Sequence, residues 1–145
     1  MKKWLMIIAA LAVVGVIAAL LIFKFYINKP HEDIEAATPA YTIATGDLWK
    51  QYTSDLKQSD SLYTGKVIEL NGNLSRADIS DSLAFAVFVM EADSMFGDKS
   101  VRCEMLQKYA ADLKSIAPGT TVKIKGFCNG FDQTDVKFSK CSIVK

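Results

Sequence analysis

The sequence predicts a mainly β domain with helices, carried behind an N-terminal transmembrane helix, and three observations lead to that class. The first is an uncharged apolar run from Trp4 to Phe23. The second is a change to strand-like patterning after Gly65, repeated in five segments. The third is where helical spacing falls: once before the first of those segments, and once between the third and fourth. The chain thus divides into an anchor with a short tail at 1–27, a linker at 28–44 and a domain at 45–145, whose β part occupies about 63–145.

The apolar run has the length of about 20 residues that a helix needs to cross a hydrocarbon core of about 30 Å. It exceeds the apolar region of about 7 to 15 residues in a cleaved signal peptide, and its one Ala-x-Ala lies mid-run at Ala10 to Ala12. Trp4 at one end and Phe25 with Tyr26 at the other suit membrane interfaces. The expected partner of residues 4–23 is therefore a lipid bilayer. Lys2 and Lys3 are matched by Lys24 and Lys29, so positive-inside counting gives little bias. The free α-amino group tips the expectation toward a single-pass protein of the cell inner membrane, with its C-terminal domain outside the cytoplasm.

All 16 acidic residues follow position 30, whereas only 13 of the 17 Lys and Arg do, a net −3 for that part. Affinity for nucleic acid rests on cations that neutralise phosphates, so this balance argues against such a partner. The stretch 28–44, with two prolines, three acids and little periodicity, reads as an exposed linker. Thr45 is placed to cap a helix with Asp47 in its first turn and Leu48, Trp49, Tyr52 and Leu56 on one face, fading near Gln58 to Ser61.

Val67 to Leu74 alternates, with Ile68, Leu70, Gly72 and Leu74 on one side. Leu83 to Met90 is apolar on both faces, as in a strand covered on one side by the core and at least partly on the other. Lys99 to Glu104 alternates again, Met105 to Ile116 is spaced as a helix, and Pro118-Gly119 stops it. Thr121 to Phe131 and Val136 to Val144 are the last two strands, joined by a turn at Asp132 to Asp135. Five strands with a helix only between the third and fourth is the element order of an OB-fold barrel. Gly72 and Gly126 sit where such strands bend or approach one another closely.

No catalytic set is visible, and the expectation is a protein that is not an enzyme and carries no cofactor. A nucleophile needs a base within hydrogen-bond reach, yet the only histidine, His31, is in the linker. No Cys-x-x-Cys or His-x-x-x-His spacing suggests a metal. The carboxylate pairs Asp78 with Asp81, Glu91 with Asp93, and Asp132 with Asp135 read as solvated turn residues. Cys103 and Cys128 alternate in phase with core residues. In an oxidising compartment, hairpin register favours a Cys128–Cys141 disulfide over three free thiols. A bulge near Ser139-Lys140 is then needed to turn both Phe138 and Cys141 inward.

The ligand face of such a barrel is formed by strands two and three and the loops beside it. Here that selects Phe88, Met90, Arg102 and Glu104, the loop residues Met95 and Phe96, and Lys125 with Phe127. The competing reading has Met95 and Phe96 plugging the barrel end and Arg102 paired with Glu104. The expected function is a membrane-tethered binding module for an unknown protein or envelope component. The alternative is a nucleic-acid-binding OB domain with the opposite topology and a basic groove around Arg76, Arg102, Lys123 and Lys125. A further rival is an enzyme acting through Cys103 or Cys128.

Several stretches together resemble a known family: Asn28-Lys29-Pro30-His31, Tyr63-x-Gly65-Lys66, Val101-Arg102-Cys103, Gly119 to Gly126 with Cys128, and Cys141. They are similar to the tRNA-anticodon-binding-like OB family, small bacterial proteins often carried behind an N-terminal membrane segment. The resemblance spans roughly Asn28 to Lys145 and implies an OB fold with no settled activity.

Overall fold

A run of apolar side chains makes a helix stable in lipid because the helix satisfies its own backbone. In the computed structural model, which describes residues 1–27 and 33–145, α1 spans Lys2–Ile22 and continues as a π-helical turn over Phe23–Ile27. At about 1.5 Å per residue its length matches a hydrocarbon core of about 30 Å. None of its side chains is buried within the protein. It is long and apolar enough to cross a membrane. His31 and the start of the expected linker lie outside the described residues.

The second unit runs from Asp33 to Lys145. Its strands are β1 (Tyr41–Ala44), β2 (Val67–Asn73), β3 (Arg76–Ile79), β4 (Ala84–Glu91), β5 (Lys99–Met105), β6 (Thr121–Phe131) and β7 (Asp135–Ile143). They form one mixed sheet ordered β1-β2-β6-β7-β5-β4-β3. The β1–β2 and β5–β7 pairs are parallel and the others antiparallel.

Five strands were expected and the sheet has seven. Tyr41–Ala44, read as linker, adds the parallel edge strand β1. The first expected strand is β2, and Arg76–Ile79, read as part of a loop, adds the other edge strand β3 just beyond Leu74 and Ser75. Those two adjacent amides reach opposite ends of the sheet: Leu74 N–H donates to Thr120 O at 2.9 Å and Ser75 N–H to Val87 O at 3.0 Å. The hydrogen-bonded order is open, with β1 and β3 at its edges, and the arrangement is OB-like.

The leading helix is also two, α2 (Thr45–Ser54) and α3 (Leu56–Tyr63). Asp55 leaves helical geometry between them and its carboxylate accepts from Gln58 N–H at 3.0 Å, capping α3. Thr45 does not cap α2; Ala44 holds that position without a side-chain bond. The Thr45 side chain is instead buried, packed where Gly72 lacks a Cβ. The expected helix at Met105 to Ile116 is shorter, because Met105 pairs with Cys141 in the sheet. A 3-10 turn at Gln107–Tyr109 and α4 (Ala110–Ser115) follow.

Leu48, Trp49 and Tyr52 of α2 join Ile68, Leu70, Phe88, Val101, Ile124, Val136 and Phe138 in one core. Residues 33–44, expected as linker, are tied to this domain at a few points although most of them are exposed. Ile34 is buried, and the Lys125 ammonium donates to the carbonyls of Glu35 (2.7 Å) and Ala37 (2.9 Å).

All three cysteines are free thiols, so the expected Cys128–Cys141 disulfide is absent. Register is the reason: Cys128 pairs with Phe138, while Cys141 faces Gly126. The anticipated bulge is present, since β7 steps from Ser139 to Ser142 while β6 steps only from Phe127 to Lys125, and Lys140 adopts φ +53°. That extra residue lets both Phe138 and Cys141 point inward.

Candidate functional site

Register decides which side chains of β4 and β5 face solvent. Arg102 pairs with Val87 and Glu104 with Phe85, whereas Val101 pairs with Phe88. Phe88 is therefore a core residue, fully buried, and Met90 packs partly against the same core. The phase that exposes Arg102 and Glu104 brings Phe85 to the surface with them.

These residues border two hollows on the outer face of the sheet. One, of about 250 Å³, is lined by Phe85, Arg102, Glu104, Asn129, Lys137 and Phe138. The other, of about 550 Å³, lies between Ala77, Asp78, Ile79, Ser80, Phe85 and Arg102. Arg102 and Phe85 separate them, with the guanidinium carbon 5.4 Å from the ring centroid, a cation–π arrangement.

Arg102 and Glu104 do not pair with each other. Arg102 Nη2 reaches Asp78 Oδ2 at 3.4 Å, while its Nε is buried without a partner. Glu104 makes no ion pair among the described residues. Lys137 lies directly across from Arg102 in the β5–β7 pair and bonds Asp132, which raises the lysine pKa and lowers that of the carboxyl. Arg76 is held by Asp98 at 3.0 Å and Asp78 at 3.3 Å, and both carboxylates raise its pKa, the bond to Asp98 most.

Met95 and Phe96 do not plug the barrel end. They are 83% and 85% exposed at the tip between β4 and β5. Asp93 Oδ1 braces the tip by accepting from Met95 N–H at 2.8 Å and Phe96 N–H at 3.2 Å, bonds that also lower its pKa. Lys125 belongs elsewhere, bordering a hollow of about 350 Å³ with Glu35 and Tyr109. Phe127 is half-buried on β6 opposite Val67. Of the residues expected at the site, the structure thus joins Arg102 and Glu104, while Phe85, Asn129 and Lys137 were missed. The parity of Phe85 with Glu104 was the available signal, hidden because every residue of LAFAVFVM is apolar.

The thiols are poor nucleophile candidates. Burial, above all, raises the pKa of Cys128, whose sulfur lies 3.5 Å from Tyr52 Oη. Burial, with a bond to Cys103, raises that of Cys141 further. Among the described residues no three His, Cys, Asp or Glu side chains are grouped to hold a metal.

The family model for tRNA_anti-like proteins matches residues 1–143. The chain belongs to the tRNA_anti-like family. Its OB-like domain has a structural relative in a Klebsiella pneumoniae lipoprotein whose designation proposes nucleic-acid binding. The TM-score is 0.51 at 18% identity, over 81% of this chain and 100% of that one. An aspartyl tRNA synthetase from Entamoeba histolytica aligns with TM-score 0.44 and 7% identity, over 81% of this chain and 24% of the synthetase. The Stn1-Ten1 complex of S. pombe aligns with TM-score 0.37 and 15% identity, over 55% of this chain and 58% of that one. No curated protein matches the chain.

Proposed function

We propose that this tRNA_anti-like protein is a membrane-anchored, non-enzymatic binding module. Its domain lies outside the cytoplasm of an inner-membrane anchor and holds a protein or envelope ligand on the outer face of β4, β5 and β7. We read β2 and β3 as one coiled strand bent at Leu74-Ser75, which closes the sheet into an OB barrel and makes this face its ligand surface.

The observation that carries this reading is the mixed charge of the smaller hollow, where Glu104 stands beside Arg102 and Lys137. A phosphate-binding groove gains affinity from an uninterrupted set of cations, and a carboxylate in its middle opposes that. Two of the four cations such a groove would need are committed elsewhere, Lys125 to backbone carbonyls and Arg76 to two aspartates. Burial of all three thiols, which raises the pKa of Cys128 and Cys141, supports the absence of cysteine chemistry.

The test is site-specific photo-crosslinking in intact membranes, with the photoreactive residue at Lys137 and, as a control, at Lys50 on α2. The expected result is a nuclease-resistant protein adduct from position 137 alone, lost in Arg102→Ala. Nuclease-sensitive adducts would replace this reading with nucleic-acid binding, and equal adducts from both positions would remove the site.

A further inference from the structure

Arg102 and Glu104 are two residues apart on one face of β5, roughly 6.6 Å along the strand. Here the guanidinium stacks on Phe85 and reaches Asp78, and neither its buried Nε nor the Glu104 carboxylate finds a partner among the described residues. Both residues line the same hollow of about 250 Å³. A ligand bearing only negative charge would meet Glu104, and one bearing only positive charge would meet Arg102 and Lys137. A ligand carrying both signs suits Glu104, Arg102 and Lys137 together, the Lys137 ammonium keeping a proton for Asp132.

We propose that the hollow between Phe85, Arg102, Glu104 and Lys137 is a subsite for a zwitterionic amino-acid group, with ammonium and carboxylate on one carbon, as in a free amino acid or a side chain that ends in one. The carboxylate accepts from Arg102 and from Lys137 across the strand pair, the ammonium donates to Glu104, and an apolar side chain lies against the Phe85 ring. Asn129, whose side-chain oxygen is 3.4 Å from Ser139 Oγ, borders the pocket and supplies a further amide. The volume admits a group of single-residue size, smaller than the roughly 300–1,000 Å³ of drug-sized sites. This deepens the proposed function and rests on it, because it names the ligand class of the same face.

The experiment titrates the full chain in lipid nanodiscs with free phenylalanine, followed by calorimetry and by backbone amide shifts. N-acetylphenylalanine and phenylalaninamide, each lacking one charge, are the comparison probes, and inorganic phosphate is the anion control. The expected result is millimolar binding of phenylalanine, with shifts on β5 and β7, and about tenfold weaker binding of both blocked probes and of phosphate. In Glu104→Gln, phenylalanine and its N-acetyl form should bind alike. In Arg102→Gln, phenylalanine and its amide should bind alike. Phosphate or N-acetylphenylalanine binding best would overturn the zwitterion assignment in favour of a plain anion site, and no binding by any probe at about 50 mM would overturn it outright. A protein crosslink from position 137 that persists alongside such a failure would leave the binding module standing and remove only its ligand class.

Discussion

Replacing Gly126 by Ala tests how tightly β6 closes on the β7 bulge. The new Cβ would overlap Cys141 Sγ and lie 3.3 Å from Cys141 Cβ and 3.5 Å from its Cα. Cys141 has no room to retreat, being fully buried, with its carbonyl accepting from Leu106 N–H at 2.9 Å. Overpacking of this kind costs about 1–3 kcal/mol, partly offset by the ~0.5–1 kcal/mol that alanine gains over glycine in backbone entropy. A net loss of about 1–2 kcal/mol lowers Tm by roughly 4–8 °C in a domain of this size. Removing the sulfur should relieve it, so in a Cys141→Ala background the glycine substitution should cost under about 0.5 kcal/mol, a coupling of about 1 kcal/mol. Thermal unfolding of the four proteins, monitored by circular dichroism, measures the cycle. An equal loss in both backgrounds, or none in either, would refute the close approach.

Gly72→Ala should show a similar loss, since its Cβ would fall 2.9 Å from Thr45 Cγ2, whereas Gly46→Ala, with open space around it, should leave Tm unchanged or raise it; equal losses at both would contradict the packing. All three thiols should resist a thiol reagent at pH 8 in the native state and react once the chain is unfolded, and rapid native labelling would show the core to be open. The pKa values of Cys128, Cys141 and Tyr52 are raised on folding, so their contribution is fully present below about pH 9 and declines above it as the unfolded groups ionise first; a flat melting profile from about pH 8 to 11 would count against this. Lys125→Met should release residues 33–40 to limited proteolysis and cost about 1–3 kcal/mol, and an unchanged cleavage pattern would show that the clamp is incidental. A periplasm-active reporter fused after Lys145 should be active and a cytoplasm-active one silent, while the reverse would sink the extracytoplasmic assignment.

Alternation made β2, β5, β6 and β7 legible in the sequence, because one face of each is buried. Uniformly apolar β4 concealed its phase, so Phe88 was chosen for the ligand face and Phe85 passed over. Only the β4–β5 register separates them. The break at Asp55 was obscured because Leu56 continues the apolar spacing of α2, although Asp55 is an ordinary N-cap residue. Residues 33–44 look like a linker by composition, yet 41–44 pair with β2 and the carbonyls of Glu35 and Ala37 are held by Lys125, about ninety positions away along the chain. Such a tie leaves no local signal. The cysteine register failed for a related reason: the bulge was anticipated, yet its effect on which residue faces Cys141 depends on both strands.

The placement of Leu74 and Ser75 also bears on when this domain can form. Leu74 bonds Thr120, and β2 takes its long antiparallel neighbour from Thr121–Phe131. Neither partner exists until most of the chain has been made. Sheets assembled from such distant pairings fold slowly, typically in milliseconds to seconds. The apolar helix at the other end is synthesised first and forms within microseconds. On the proposed anchored reading, attachment has time to precede folding, and the domain would assemble as a tethered, unfolded chain on whichever side of the bilayer it has been delivered to. During that interval β4, apolar on both faces, is the segment most exposed to mispairing.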